Sequence, residues 1–293
     1  MAALSALRTR LGVKLTDQNL RILTAAQMNA LLNEALEAWV DETGELVQET
    51  AFAVTAKEFD IDAPSDILEV KAAWWAPTSY SPVTPVGYTE FDEPGGFQLN
   101  RSGGTPELIM LEGTQSSNAP TDLRLRLFPA PTATSATSTI NDAGGISASD
   151  ATIGVTAAST FRSPSGWIQI DNEKILYQNL DTSTNQFKLC RRGMGNTTAA
   201  THSDGATITQ LDLMVRYTRA PAALSSDADV PEINNRFHKY LLHYVLKEAL
   251  ALDGREKEAL REERKWMQAI RLGKRAVRNI KAGQPFSQLH SDY

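Results

Sequence analysis

Four histidines and one cysteine are the residues of this chain best suited to metal binding or nucleophilic catalysis. They are Cys190, His202, His238, His243 and His290. His238 and His243 are five residues apart, whereas a zinc-binding pair on a helix has a spacing of four. We interpret the histidines as partly exposed imidazoles or imidazoles at the edge of the core, and we expect no metal site.

Cys190 precedes two arginines, Arg191 and Arg192, and cations beside a thiol can lower its pKa. No histidine partner for a catalytic cysteine can be assigned from the sequence. We therefore interpret Cys190 as a structural thiol on a strand. A single cysteine also excludes an intrachain disulfide and a cysteine metal cluster.

Known catalytic motifs do not occur in the chain. There is no G-x-S-x-G, P-loop or H-E-x-x-H sequence, and the G-x-G at residues 193–195 meets Asn and Thr instead of a helix start, which predicts a turn. The acids at positions 142, 150, 171 and 173 lack the spacing of a calcium loop. The sequence thus predicts no catalytic, cofactor-binding or metal-binding residues, and we expect that the protein is not an enzyme.

A run of cations near the end of the chain is the strongest candidate for a binding site. Residues 264–281 contain seven cations and no acid, although the whole protein has a net charge of −6 and a pI near 5.4. One interpretation is a solvated helix face with cations favoured near the negative end of the helix dipole. The other is a docking surface for an acidic partner or for nucleic acid, and the acidic remainder of the protein disfavours nucleic acid.

Two C-terminal helices are predicted to carry this run. Residues 237–252 place apolar side chains on more than one side, which is typical of a buried helix. We expect this helix to begin near Asp229, with Pro231 and Glu232 in its first turn, and to end at Gly254. The second helix follows from Arg255, and its predicted apolar positions are Leu260, Trp266, Ile270, Gly273 and Val277.

The first third of the chain combines helices with strands. Thr24 and Gln27 form a capping box and Gly44 follows at the far end, which predicts a helix over residues 24–42. A weaker pattern indicates a helix over residues 3–11. Alternating patterns then predict strands from residue 46, over 67–75 and over 123–128. The Pro- and Gly-rich stretch 76–117 is predicted to be a long loop with short strands, in which only residues 107–111 have an ordered pattern.

Residues 132–210 differ in composition from their surroundings. A Thr, Ser and Ala-rich linker opens the segment, and four short predicted strands follow, two of them joined by a turn at Asp171-Asn172. The flanking strands, 123–128 and 213–219, are expected to pair as a hairpin, with this β-insert at its tip. We predict an α+β protein with a helical core domain over 1–131 and 211–283, an inserted small all-β domain over 132–210, and a C-terminal arm over 284–293.

The whole-chain composition bounds the class of protein. With 293 residues, of which 42% are hydrophobic and 22% charged, the chain is typical of a soluble globular protein. It has no apolar run of about 18 residues and no basic region ahead of an apolar core at its N-terminus, so we expect neither a membrane span nor a secretory signal.

Several short motifs, in this order, resemble the head–tail adaptor, or head-completion, proteins of tailed bacteriophages. They are Trp-Val-Asp-Glu-Thr at 39–43, Asp-Ala-Pro-Ser-Asp-Ile-Leu-Glu-Val-Lys at 62–71, Gly-Thr-Pro at 104–106, Leu-Arg-Leu-Phe-Pro-Ala-Pro at 125–131, Tyr-Thr-Arg-Ala-Pro at 217–221 and Val-Pro-Glu at 230–232. The motifs at 170–175, 190–198 and 202–205 make the insert similar to a β-module that recurs in phage structural proteins.

This resemblance implies a structural virion protein at the neck, made in the host cytoplasm during assembly. Such proteins form a ring, usually of twelve subunits, that binds the portal protein and a tail or tail-completion protein. Packaged DNA passes through the lumen and is retained without sequence-specific binding, and no membrane is involved. By position in the family arrangement, the portal-docking residues are Arg264, Lys265, Arg271, Lys274, Arg275, Arg278, Lys281, Phe286, Leu289 and Tyr293.

A receptor- or carbohydrate-binding tail protein is the alternative. In that case the β-insert would bind the ligand, and Trp167 and Tyr177 would stack on a sugar. The two functions differ in whether the insert binds a ligand at all.

Overall fold

The computed structural model describes residues 3–17, 23–77, 80–89, 103–116 and 119–281. It confirms the predicted α+β class. Contacts divide the chain into two compact units, Met1–Val47 with Thr218–Tyr293, and Gln48–Tyr217.

The described residues of the first unit form four helices and a short 3-10 helix at Asn235–Phe237. The helices are α1 (Leu4–Asp17), α2 (Ala25–Thr43), α3 (His238–Leu252) and α4 (Glu256–Lys281). Their apolar faces share one core that includes Leu7, Leu36, Trp39, Leu246 and Trp266. The helix predicted over residues 3–11 is therefore present, and it extends further than its pattern indicated.

Helix α2 has the ends that the sequence predicts. The Thr24 hydroxyl accepts a hydrogen bond from the backbone N–H of Gln27, and the Gln27 side chain accepts one from the backbone N–H of Thr24, which completes the capping box. At the other end Gly44 adopts the left-handed conformation at φ 60° and its N–H donates to the carbonyl of Val40. These local signals fix the length of the helix.

The predicted start of the buried C-terminal helix is wrong. Helix α3 begins at His238 after the 3-10 turn, which Asn234 caps. Asp229 instead accepts hydrogen bonds from the N–H groups of Ser225 and Ser226, and Glu232 accepts two from Arg219. These carboxylates have partners in the preceding loop and at the end of β15, so they are not available to a helix N-terminus. The predicted end holds, because Gly254 has φ 72° just beyond Leu252.

The second unit contains a seven-stranded sheet. Its strands are β1 (Val47–Phe52), β2 (Asp60–Asp62), β3 (Ile67–Trp75), β4 (Ser81–Pro85), β5 (Leu108–Ser116), β6 (Ala119–Phe128) and β15 (Leu213–Arg219). The order is β1-β15-β3-β4-β5-β6-β2. β3 has its predicted bounds, and β5 is longer than its predicted core at 107–111. β4 lies in the stretch predicted as a loop with short strands, for which no bounds were predicted.

The predicted hairpin between the strands that flank the insert is wrong. β6 pairs with β5 and β2, whereas β15 lies between β1 and β3 in the sheet. Alternation shows that a strand is half-buried, but it carries no information about which strand lies beside it.

Strand β6 also contains a buried arginine, although the alternation of leucine and arginine in its sequence predicts that the arginines are exposed. Arg126 is only 7% exposed, and its guanidinium contacts Asp60 at 2.8 Å and Glu112 at 2.7 Å. Both acids lie on strands that pair with β6, so the arginine joins three neighbouring strands.

The insert has two small sheets and its own apolar core. Strands β7 (Thr137–Thr139), β9 (Gly166–Ile170), β10 (Glu173–Tyr177), β13 (Arg191–Met194) and β14 (Thr207–Leu211) form one sheet, and β8 (Thr152–Gly154), β11 (Asn179–Asp181) and β12 (Gln186–Lys188) form the other. β9 and β10 form the predicted hairpin, in which Ile170 pairs with Glu173 and Asp171 has φ 50°. The core residues all fall between Ile140 and Ile208, inside the predicted insert, whose status as a separate domain stays a prediction.

Candidate docking surface on the C-terminal helix

One side of α4 is held tightly against the other helices of its unit. Trp266 is 5% exposed and its ring lies 5.6 Å from that of Trp39 and 5.3 Å from that of Tyr244. At Gly273 an added Cβ would lie 2.7 Å from the Trp39 ring and 2.9 Å from Thr43, closer than real Cβ contacts allow. Glycine at this position therefore lets α4 approach α2 closely. Ile270 and Val277 are buried as predicted, but Leu260 is 52% exposed.

The opposite side of α4 carries a stripe of free arginines. Arg264, Arg271 and Arg275 are exposed, and none of them has an ion pair among the side chains that the structure describes. Their spacing of seven and four residues places them within about 40° of one another around the helix and along roughly 16 Å of its axis. We call these three residues the arginine stripe. Leu260 and Met267, which is 44% exposed, lie beside it.

Two of the predicted docking cations are instead neutralised within the helical unit. The Lys265 ammonium lies 2.5 Å from the buried carboxylate of Glu262, which the His243 imidazole also contacts at 2.5 Å. Desolvation acts to raise the pKa of Glu262, but its hydrogen bonds with Lys265 and His243 lower it overall. Lys274 pairs with Glu42 of α2 at 2.6 Å. Both lysines are therefore poorer candidates for docking than the arginines.

The other predicted docking residues fall outside what the structure describes. Arg278 and Lys281 lie on α4, but their side chains are not described, and Phe286, Leu289 and Tyr293 lie beyond residue 281. Their part in docking stays a prediction.

A cluster of strongly connected charges lies inside the insert and was not predicted from the sequence. Glu173 is 1% exposed and accepts two hydrogen bonds of 2.8 Å from the Arg192 guanidinium. It also accepts from the backbone N–H groups of Gly193 and Ala200 and lies 2.8 Å from Nε2 of His202. Desolvation acts to raise the pKa of Glu173, but these hydrogen bonds outweigh it and lower the pKa from 4.5 to about 2.

His202 is therefore not the core-edge imidazole that we predicted. It is 5% exposed, and its second ring nitrogen contacts Asp171 at 2.7 Å. We call Glu173, Arg192 and His202, together with the exposed Asp171 at their edge, the buried charge network. Because Glu173 and His202 are 29 residues apart, no sequence spacing brings them together. The network ties the loop after β13 to the β9–β10 hairpin and resembles a fold-stabilising cluster more than a ligand site.

The aromatic residues proposed to stack on a sugar are buried. Trp167 is 2% and Tyr177 0% exposed, so neither ring face is available to a ligand. Cys190 is also buried, and burial raises the pKa of its thiol to about 12, but it lies between β12 and β13 and not on a strand as predicted. Gly193 and Gly195 both have positive φ, but Gly193 lies within β13, so the predicted turn falls at Gly195 and Asn196.

A cleft of about 480 Å³ lies between the insert and the larger sheet, and Lys174 lines it with Thr50 and Phe52. The Lys174 ammonium donates to the Thr50 hydroxyl at 2.6 Å and lies 4.7 Å from the Phe52 ring centroid, with no carboxylate paired to it in the described part of the chain. Burial lowers the pKa of Lys174 from 10.5 to about 8.

Together these features define an α+β protein in which Glu173, Arg192 and His202 pair with one another in the insert, while α4 exposes a face of positive charge. Such a face is typical of a structural protein that binds other macromolecules. The chain matches the family model described as SU10 adaptor protein over residues 2–287, and it belongs to this family of phage head–tail adaptors. The resemblance found from sequence motifs is thereby confirmed. No curated protein matches the chain.

Family membership makes the chain a structural phage protein and indicates a place in the virion among other head and tail proteins. In the described residues, no helix combines the length and apolar character needed to cross a membrane. No cluster of three or more His, Cys, Asp or Glu suited to a metal ion is found in the same residues.

Proposed function

We propose that the protein is a head–tail adaptor that assembles as a ring, of about twelve copies in line with the family resemblance, beneath the portal of the capsid. The ring joins capsid to tail and retains packaged DNA. It binds the portal protein on one side and a tail or tail-completion protein on the other, and it is made in the host cytoplasm. Family membership supports the adaptor role. The arginine stripe is the observation that supports binding to the portal protein.

The arginine stripe supports docking because its charges are exposed and have no ion pair among the described side chains. Three exposed cations within about 16 Å repel one another, and none of them has an ion pair among the described residues. An acidic partner surface would relieve this repulsion, and exposed Leu260 and Met267 would add apolar contact. The portal contact then lies on α4 and continues into the arm at 284–293.

The net charge of −6 suits a lumen through which DNA moves without being bound. Phosphates are held by arrays of cations that release counterions, and an acidic wall provides none. In this proposal the arginine stripe faces the portal and not the lumen.

Binding to isolated portal rings tests the proposal. Full-length protein and a variant lacking residues 284–293 are each sedimented with purified portal rings. We expect the full-length protein to cosediment and the truncated variant to bind at least about tenfold more weakly. Unchanged binding of the truncated variant would remove the arm from the contact, and no cosedimentation of the full-length protein would refute portal docking.

A further inference from the structure

Helix α2 carries a second unpaired charged surface, of the opposite sign to the arginine stripe. α2 contains no lysine or arginine, and Glu34, Glu37 and Asp41 are exposed on it without an ion pair among the described side chains. Spacings of three and four residues place them on one face, with partly buried Leu31 and Ala38 at its edge. We call Glu34, Glu37 and Asp41 the acidic face.

A cationic groove lies between the start of α3 and the second half of α4. It has a volume of about 400 Å³ and is lined by Arg236, Phe237, Lys239, Tyr240, Leu272 and Ala276. The Arg236 guanidinium lies 4.5 Å from the centroid of the Phe237 ring and the Lys239 ammonium 4.9 Å from that of Tyr240. Neither cation has a carboxylate partner in the described residues, and Leu272 is 44% exposed. Rings that hold the cations in place also prepare them to receive an anionic surface.

The acidic face of a chain cannot enter the groove of the same chain. Trp39 of α2 packs against Phe237, a groove residue, with 4.8 Å between the ring centroids. Glu37 and Asp41 are each two residues from Trp39, which places them about 160° away from it around the helix. The acidic face therefore points away from the groove, and only another molecule can bring such a face to it.

We propose that the acidic face of one copy docks into the α3–α4 groove of the next. Glu34 and Glu37, three residues apart, would meet Arg236 and Lys239, also three residues apart, while Leu31 and Ala38 would cover Leu272. Two different surfaces then meet at every contact, and such a head-to-tail interface closes into a ring when its rotation permits. The inference rests on the proposed ring and names the surfaces that build it. It uses none of the residues of the arginine stripe.

Charge exchange in the full-length protein tests the interface. The groove variant is Arg236→Glu with Lys239→Glu, the face variant is Glu34→Lys with Glu37→Lys, and the exchanged variant carries all four substitutions. Self-association is measured by sedimentation velocity, free and with portal rings. Arg10→Glu with Lys57→Glu is the matched control, because both residues are exposed and lie outside the groove.

We expect the groove and face variants each to self-associate at least about tenfold more weakly than the wild type and the control, and the exchanged variant to recover wild-type association. An equimolar mixture of the groove and face variants should also recover it, because each supplies the surface that the other needs. Wild-type association in the groove variant, or no recovery in the exchanged variant, would overturn the interface. A wild-type protein that stays monomeric both free and on portal rings would also overturn it, whereas loss of portal binding with association intact would contradict only the portal assignment.

Discussion

Charges have opposite surroundings in the buried charge network of the insert and in the arginine stripe of α4. In the network, Glu173, Arg192 and His202 are nearly inaccessible to solvent and each contacts a group of opposite or complementary charge. On the stripe, three arginines are exposed and lack ion pairs within the described residues. Buried, paired charges specify one fold, whereas exposed charges of one sign leave binding energy for another molecule.

Removing the carboxylate at the centre of the network should have the largest effect. Glu173→Gln leaves the Arg192 guanidinium and the His202 imidazole buried beside a neutral group, which we expect to destabilise the insert by about 3 to 5 kcal/mol. Amide hydrogen exchange of β9 and β10 measures this free energy locally. Glu263→Gln, an exposed glutamate on α4, is the control and should change it by less than about 0.5 kcal/mol. A small effect of Glu173→Gln would mean that the network does not hold the insert together.

Acid should weaken the insert through the same carboxylate. Because the pKa of Glu173 is about 2 in the folded protein instead of 4.5, its contribution is complete above pH 4.5 and is lost as the pH falls through 2. The corresponding loss is about 3 kcal/mol by pH 2. Hydrogen exchange of β9 and β10 at several pH values should show this loss in the wild type but not in Glu173→Gln, and parallel curves for the two proteins would contradict the account.

Helix α4 should depend on the glycine that faces α2. Gly273→Ala places a methyl group against Trp39 and Thr43, and we expect a destabilisation of about 2 kcal/mol even though alanine favours helices. Hydrogen exchange of α4 peptides checks this value. Gln268→Ala, at an exposed position of the same helix, should be neutral or slightly stabilising. If Gly273→Ala were equally neutral, α4 would not pack as closely as the structure indicates.

Lys174 is a buried charge without a carboxylate partner in the described residues, and unlike the charges of the network it should lower the stability of the protein. Its pKa is lowered to about 8, so the cost of burying the ammonium is complete below pH 8 and disappears as the pH rises to 10.5. Lys174→Met should stabilise the protein by about 1 kcal/mol at pH 7, after the loss of the Thr50 hydrogen bond and the Phe52 contact. Denaturant unfolding should show this gain shrinking between pH 8 and 10. Lys188→Met, which removes a lysine paired with Asp181, should show no gain.

Neutralising the stripe should have the smallest effect on stability. Each of Arg264→Gln, Arg271→Gln and Arg275→Gln should change the free energy of unfolding by less than about 0.5 kcal/mol, because each removes an exposed charge without an intramolecular partner in the described residues. Denaturant unfolding of the full-length protein is the measurement. If any of the three substitutions lowered the free energy of unfolding by more than about 1 kcal/mol, the stripe would contribute to the stability of the fold, which contradicts this account.

Local sequence signals predicted the parts of the fold whose determinants lie within a few residues. The capping box of Thr24 and Gln27, the turn at Asp171-Asn172 and the break at Gly254 are of this kind. The sheet order was not predictable, because pairing depends on strands far apart in the chain. The partners of Asp229 and Glu232 were missed because a carboxylate near a helix start looks the same in sequence whether it caps that helix or the preceding loop.

The candidate site was predicted as a run of cations but not as a surface. Charge counting located residues 264–281, and helical periodicity groups Arg264, Arg271 and Arg275 on one side. It could not show that Lys265 and Lys274 pair with glutamates on α4 and α2. The groove at Arg236 and Lys239 gave no sequence signal, since two cations three residues apart are common on any exposed helix.

Charge reversal on the stripe tests the central claim most directly. Binding to isolated portal rings is compared for the wild type, for Arg264→Glu with Arg271→Glu and Arg275→Glu, and for a control of equal net charge, Arg10→Glu with Lys57→Glu and Lys257→Glu. We predict that the stripe variant binds at least about tenfold more weakly than the control, and that wild-type binding weakens as salt rises from about 50 to about 200 mM. Equal binding by the stripe variant and the control would contradict the assignment of portal docking to α4.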